Sequence, residues 1–226
     1  MTKISVGLLA LIVALNVFSP VASAADADAA PATSGFLPAE IEAKMKKTKL
    51  ASGREIHVWL SSELNRENYK GIMIDRVAYY PAPNPGPQIS SSTLDNILEF
   101  TTKMLRDKLS EKMNVVDVGG PGVVRLQAVI TAVESKEEGL TALDVIPVHF
   151  LFSAAKSATG NKAMNVTAYS EMRITDSVSG DIVGAAKGVL TGEKLKNSKQ
   201  QIELESVQKS IEVAAEDGAH MLDSIK

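Results

Sequence analysis

The amino-acid sequence predicts an α+β fold, in which a mainly antiparallel sheet has two longer helices packed on one face. Three observations support this prediction. Segments of alternating apolar residues occur along most of the chain, two long segments have the apolar period of helices, and the two kinds of segment do not alternate regularly. The predicted order of elements is strand, strand, helix, strand, hairpin, helix.

The first 24 residues have the pattern of a secretory signal. Lys3 supplies a basic start, Val6–Val17 is an apolar run broken only by Asn16, and Ala22–Ala24 provides small residues for the peptidase. The run is shorter than the ~20 residues that a membrane-spanning helix needs. We therefore expect cleavage after Ala24 and export to the periplasm. The alternative is that the signal stays uncleaved and acts as an anchor.

Residues 25–35 are small and polar without apolar periodicity, which predicts a flexible tether, and residues 36–226 are predicted to form a single α+β domain. The chain has no cysteine, so its stability must come from a hydrophobic core rather than from disulfides. Bacterial lipid anchors are attached to a cysteine that follows the cleavage site. We therefore expect a periplasmic protein that is not a lipoprotein.

The first half of the predicted domain contains one short helix and two strands. The segment from Pro38 to Leu50 is amphipathic and begins with proline, which predicts the helix. Residues 54–60 alternate as a strand, and their tryptophan, Trp59, should be half-buried with a structural role. Residues 69–80 predict one longer strand. The proline-rich residues 81–87 predict a loop.

A long helix follows this loop. Ser92 and Asp95 have the spacing of a capping box, which satisfies free amides at a helix start. Apolar residues then trace one helical stripe to about Met113, through Leu94, Ile97, Leu98, Met104, Leu105 and Leu109. The pattern predicts a helix from Ser92 to about Met113.

The second half returns to strands. The glycines of residues 119–122 precede a strand at 123–133, so they predict a turn and not a phosphate loop, which must open a helix. Residues 164–175 and 182–191 predict a hairpin, in which Glu171 and Arg173 lie on the side opposite the apolar residues. A closing amphipathic helix spans residues 204–222 and is loosened near Gly218.

Composition and motifs offer no reactive centre. The formal net charge of −3 gives no basic footprint for nucleic acid. The three histidines, His57, His149 and His220, lie far apart, so we predict neither a metal nor a cofactor. The serines have no nucleophile elbow. These observations predict a non-enzymatic binding or assembly module. The alternative is a hydrolase or small-molecule-binding enzyme with a site assembled from scattered residues such as His57, Asp75 and Glu171.

The most apolar segment of the predicted domain is residues 140–152. One interpretation is burial against the sheet. The other is that part of the segment stays exposed and docks onto an envelope protein or the membrane surface. The residues of this candidate interaction surface are Val148, Phe150, Leu151 and Phe152. The oligomeric state stays open.

Five fragments, taken in order, resemble a known family. They are Gly35-Phe36-Leu37, Val58-Trp59, and residues 72–77, 125–134 and 171–181. They are similar to the bacterial envelope proteins grouped as domain of unknown function 3313, from about Gly35 to the carboxyl terminus. The resemblance implies an exported α/β envelope domain and no catalytic residues. Members are mostly predicted lipoproteins, whereas this chain lacks the lipid-acceptor cysteine. A looser likeness, of fold alone, is to envelope assembly domains such as the curli secretion lipoprotein.

Overall fold

The computed structural model of the protein describes residues 34–83, 85–137, 163–197, 199–223 and 225. Within these ranges the helices are α1 (Ala39–Glu42), α2 (Ser91–Ser110) and α3 (Glu205–Asp223). The strands are β1 (Lys46–Lys49), β2 (Glu55–Leu60), β3 (Gly71–Ile74), β4 (Ala78–Tyr79), β5 (Asn114–Val116), β6 (Val123–Glu137), β7 (Met164–Asp176) and β8 (Ile182–Leu195). They form one sheet in the order β1-β2-β8-β7-β6-β3-β5, with β4 beside β6.

The fold is α+β as predicted, but the sheet is mixed rather than mainly antiparallel. The strands from β1 through β2, β8 and β7 to β6 pair antiparallel. Strand β3 instead runs parallel to both β5 and β6, and β4 runs parallel to β6. The reason is the position of α2 between β4 and β5. A helix in the connection brings the chain back to its starting end, so that the strands before and after it run in the same direction.

The two long helices contribute to one hydrophobic core. Leu105 and Leu109 of α2 and Ile211 and Leu222 of α3 belong to the same buried cluster as the apolar side of the sheet. On that side the largest fully buried side chains of the strands are Ile72, Val124, Met164, Val166, Val183 and Leu195. The helices therefore cover one face, and the opposite face is left to other parts of the chain.

Two predictions for the first half were wrong in detail. Only Ala39–Glu42 of the predicted helix is helical, because the lysine-rich residues that follow pair as β1 with the edge of β2. The predicted strand over residues 69–80 is broken between β3 and β4. At the break, the backbone N–H of Val77 donates to Oγ1 of Thr102 in α2 at 3.0 Å instead of to a neighbouring strand.

The long helix begins earlier than its predicted capping box. Ser90, not Ser92, is the N-cap, and its Oγ accepts from the backbone N–H of Thr93 at 3.0 Å. Thr93 is buried, and its hydroxyl donates to Glu203 at 3.1 Å. Three consecutive serines give the sequence several equivalent caps. The contact with the segment before α3 selects one of them.

The predicted hairpin is confirmed. Strands β7 and β8 pair antiparallel over nearly their full length, with Glu171 opposite Lys187. Asp176 closes the turn by accepting from the backbone N–H groups of Val178 and Ser179, each at 2.8 Å. These bonds to the ionised carboxylate lower the pKa of Asp176. Gly180 takes the positive φ of 80° that a glycine tolerates best.

Several predictions fall on residues outside the described ranges. They are the signal over residues 1–24, almost all of the tether, and the candidate interaction surface of Val148, Phe150, Leu151 and Phe152. Of the helices that the structure describes, none combines the length and apolarity required to span a membrane.

Candidate functional site

The face of the sheet opposite the long helices is partly covered by residues 34–45, here called the N-terminal cover. Its Leu37 and Ile41 are buried, and they pack against Ala185 of β8. Trp59 of β2 lies half-buried beside this small cluster, and the Lys44 ammonium lies 5.0 Å from the centre of its ring. The cover therefore forms a second, smaller core on this face.

A buried polar cluster lies beneath the cover. Lys187 Nζ is 2.6 Å from Oε1 of Glu42 and 3.6 Å from Oε1 of Glu171, whose other oxygen accepts from Ser34 Oγ at 2.8 Å. Glu171 is only 3% exposed, although its sequence pattern places it on the wet side of the hairpin. The alternation was correct, but the cover removes that side from water. Burial raises the pKa of Glu171 despite Ser34 and Lys187, which act in the opposite direction.

Asp75 belongs to a second chain of polar contacts on the same face. Its carboxylate accepts from Arg125 at 2.7 Å and from Gln127 at 3.0 Å. Gln127 in turn accepts from Arg173 at 2.8 Å, and the Arg173 guanidinium lies 4.7 Å from the ring centre of Phe36. Each of these polar groups is occupied by a neighbour within the protein.

The structure thus brings His57, Asp75 and Glu171 onto one face without making a site of them. His57 pairs with Lys187 across β2 and β8, and Lys187 pairs with Glu171 across β8 and β7. Asp75 lies beyond β6 and is held by its own arginine. In the described part of the chain no group of three or more acidic or histidine side chains could hold a metal ion. Asp75 and Glu171 each lie within ion-pair distance of a basic side chain of the neighbouring strand.

A cavity of about 90 Å³ lies on the other face, between the two long helices and the sheet. Its walls are mostly apolar, with side chains that include Ile56, Ile72, Leu109, Met172 and Met221. The cavity is partly open to solvent.

The cavity exists because small residues of the sheet face small residues of α3. Ala186 of β8 faces Ala214 and Gly218 of α3 around the cavity. A Cβ placed on Gly218 would meet no atom within 4 Å. The sequence shows Gly218 only as an interruption of a helical pattern, and the alanines as ordinary core residues. Sequence reasoning missed the cavity because none of these positions is unusual alone.

An ion pair forms the polar rim of this cavity. Asp217 is 4% exposed and accepts from Arg54 Nη1 at 3.0 Å, from Ser52 Oγ at 2.7 Å and from the Ser52 backbone N–H at 3.3 Å. Arg54 Nη2 also donates to the carbonyl of Val189 at 3.1 Å. These contacts join α3 to the start of β2 and to β8. The positive charge of Arg54 and the negative charge of Asp217 compensate each other.

Residues 32–217 match a family described as protein of unknown function DUF3313. The uncharacterized lipoprotein YdcL of Escherichia coli strain K12 is 27% identical over 190 residues, which cover 84% of this chain and 84% of that protein.

Two solved structures are similar at a low level. A PelC dodecamer from Paraburkholderia phytofirmans is 13% identical, with 72% of this chain and 96% of that chain covered and a TM-score of 0.35. A PDZ domain protein from Parabacteroides distasonis is 11% identical, with 79% and 36% covered and a TM-score of 0.39. The family assignment depends on the sequence match, which spans most of the chain: this protein belongs to the DUF3313 family.

Proposed function

We propose that the protein is a non-enzymatic binding module of the bacterial cell envelope, and that it accepts a small apolar group in the cavity between α2, α3 and the sheet. The observation that carries this proposal is the cavity itself, with apolar walls and a charge-compensated rim. Apolar cavities of roughly 150 Å³ stay dry and admit benzene. A volume of about 90 Å³ suits a short aliphatic group.

The chemistry of the walls favours binding over catalysis. The described residues that line the cavity include no histidine and no pair of carboxylates, and its charged lining residues, Arg54, Asp217 and Lys187, each have an ion-pair partner within the protein. General acid–base work needs a group that can exchange a proton with the substrate. Asp75 and Glu171, the carboxylates of the alternative enzyme hypothesis, lie on the opposite face of the sheet. Asp75 forms an ion pair with Arg125, and Glu171 forms one with Lys187.

The envelope location is supported by two observations. The first 24 residues have the order of a secretory signal, and the relative from Escherichia coli is described as a lipoprotein. This chain has no cysteine to carry a lipid, so we propose a periplasmic protein without a lipid anchor. Contact with an envelope protein or the membrane surface is proposed for Val148, Phe150, Leu151 and Phe152, on their sequence alone.

Methionine methyl groups provide a direct test of the cavity. Met172 and Met221 line it, whereas Met45 belongs to the N-terminal cover and packs against the small core on the opposite face. With methyl-labelled methionine, titration with 1-hexanol should shift and saturate the NMR signals of Met172 and Met221 and leave Met45 unchanged. Unmoved signals from both cavity methionines would contradict the proposal.

A glycine series supplies matched controls. Gly218→Leu should fill the cavity and weaken 1-hexanol binding at least about tenfold, because a fully buried leucine displaces the ligand from the same apolar surface. Gly218→Ala adds one methyl and should retain most of the binding. Gly120→Leu adds the same bulk in open space away from the cavity and should bind as the wild type does. Equal binding by Gly218→Leu and wild type would place the ligand elsewhere.

A further inference from the structure

The N-terminal cover is held on the sheet by side-chain contacts. Its described backbone hydrogen bonds close within the segment, as between the N–H of Ile41 and the carbonyl of Pro38 at 2.9 Å. Leu37 and Ile41 pack against Ala185, and Trp59 lies half-buried beside them. The described strand pairs of the sheet begin after the cover, at β1. The cover can therefore separate from the sheet locally, while every described strand pair stays formed.

The polar cluster between the cover and the sheet has two carboxylates for one ammonium. The Lys187 side chain is 8% exposed, and its Nζ lies 2.6 Å from Glu42 of the cover and 3.6 Å from Glu171 of β7. Ser34, at the start of the cover, donates to the other oxygen of Glu171 at 2.8 Å. With both carboxylates ionised, one negative charge is in excess where little water reaches. A proton on one of them makes the cluster neutral.

Glu171 is the carboxylate that takes this proton. Its side chain is 3% exposed against 19% for Glu42, and it lies farther from the Lys187 ammonium. Burial raises the pKa of Glu171 and the charge of Glu42 acts in the same direction, whereas Ser34 and Lys187 lower it. The cover supplies much of this burial, so closing the cover and holding the proton favour each other.

The sheet residues beside Glu171 are apolar or have contacts of their own. Val129 of β6, directly opposite Glu171, is apolar and buried. Arg173, two residues along β7, donates to Gln127 at 2.8 Å, and its guanidinium lies over the ring of Phe36.

The remaining charged groups near the cluster come from β2 and from the cover. On β2, His57 is paired with Lys187 across the strands. On the cover, Glu40 and Lys44 are exposed, and Lys44 lies over the ring of Trp59. The charge balance of the cluster therefore depends on its own three ionisable groups.

We propose that the N-terminal cover is a proton-controlled latch: it lies closed on the sheet while Glu171 is protonated, and it lifts away as that proton is lost. Lifting exposes Trp59, Ile182 and Ala185, which belong to the small core on the face opposite the cavity. The latch does not depend on what the cavity binds.

The direction of the pH dependence follows from burial. In the open state the Glu171 carboxyl regains water, so its pKa returns toward the ordinary value. The stability of the closed state is therefore complete below the open-state pKa and is lost as pH rises through the closed-state pKa. Because one proton is released, the ratio of open to closed molecules should rise by at most about tenfold per pH unit in this window.

The single tryptophan of the chain, Trp59, reports the position of the cover. Acrylamide is a neutral quencher, and its quenching constant, corrected for the fluorescence lifetime so that the nearby His57 does not contribute, measures the exposure of the ring. This constant should rise from pH 4 to pH 8 in the wild type. Glu171→Gln, which has a neutral group of the same size, should keep a low constant at every pH. Glu40→Gln removes an exposed carboxylate of the cover and should behave as the wild type does.

Methionine methyl signals distinguish local opening from unfolding of the domain. Met45 belongs to the cover, and Met172 and Met221 line the cavity on the other face. With rising pH, the Met45 signal should move and the two cavity signals should stay. This readout needs only the wild type, so it decides the question even if Glu171→Gln does not fold. A flat quenching constant in the wild type, a rise that persists in Glu171→Gln, or joint movement of all three methionine signals would each overturn the latch.

Discussion

Arg54 Nη1 lies 3.0 Å from Oδ2 of Asp217, and this ion pair joins the start of β2 to the last turns of α3. Residues 163 positions apart in sequence are thus held together at the rim of the cavity. The Asp217 side chain is 4% exposed and that of Arg54 is 22% exposed. The pair is therefore largely removed from water, which distinguishes it from the exposed ion pairs elsewhere on α2 and α3.

Asp217→Ala should lower the free energy of unfolding by about 3 kcal/mol, because it leaves a partly buried guanidinium and the Ser52 donors without their acceptor. Urea denaturation measures this change. Asp107→Ala is the control, since it breaks an exposed pair with Lys103 on α2 and should cost less than about 0.5 kcal/mol. Equal effects of the two variants would show that the Arg54–Asp217 pair stabilises the protein no more than an exposed ion pair does.

Gly218→Ala should stabilise the protein by about 0.5–1 kcal/mol. Glycine is a poor helix former, and the added Cβ meets no atom within 4 Å. Gly192→Ala should have the opposite effect, because its Cβ would lie 2.7 Å from the backbone oxygen of Ser206. Thermal unfolding of the two variants tests both signs. A lower melting temperature for Gly218→Ala would mean that the helix needs glycine there.

Glu171 should make stability depend on pH. Its pKa is raised in the folded protein above the ordinary 4.5, so the folded state holds the proton more tightly than the unfolded state does. Its contribution to stability is therefore complete below the unfolded pKa and is lost as pH rises through the folded pKa.

Glu171→Gln isolates this contribution, since it resembles the protonated acid at every pH. The variant should become more stable relative to wild type, that is, its relative free energy of unfolding should increase, as the pH is raised from 4 to 7. Lys187 keeps Glu42 as an ion-pair partner in the variant. A relative stability that is flat over this range, or falls with pH, would contradict the assigned shift.

The mature protein should begin at Ala25. Signal peptidase cleaves after small residues at this spacing, and the apolar run that precedes them is too short to serve as a membrane span. Intact-mass measurement of a periplasmic extract tests this. A mass that still includes residues 1–24, recovered only in membranes, would support the uncleaved anchor instead.

Phe150→Ser distinguishes the two interpretations of the apolar segment. If its phenyl ring is core, the free energy of unfolding should fall by about 3 kcal/mol or more. If the segment docks onto a partner or membrane, the melting temperature should be unchanged and association with the envelope fraction should weaken. A variant that changes neither property would contradict both interpretations.

The hairpin and the two long helices could be predicted because their information is local. Strand alternation in residues 164–175, the turn around Gly180 and the apolar stripe of α2 are each contained in one short segment. Two of the failures depend on a contact with a distant element: the capping serine on Glu203, and the break between β3 and β4 on Thr102. The start of β1 depends instead on pairing with the next strand, β2, across the turn at residues 50–54.

The candidate site shows the same division. The sequence by itself determined the secretory pattern, the family resemblance, the α+β class and the alternation that separates Glu171 from the apolar residues of its strand. Only the tertiary structure decided that the N-terminal cover buries Glu171, that β3, β5 and β6 run parallel, and that Ala186 and Gly218 leave a cavity between them. Burial, strand order and empty volume are properties of residues that meet from distant parts of the chain, so no single segment encodes them.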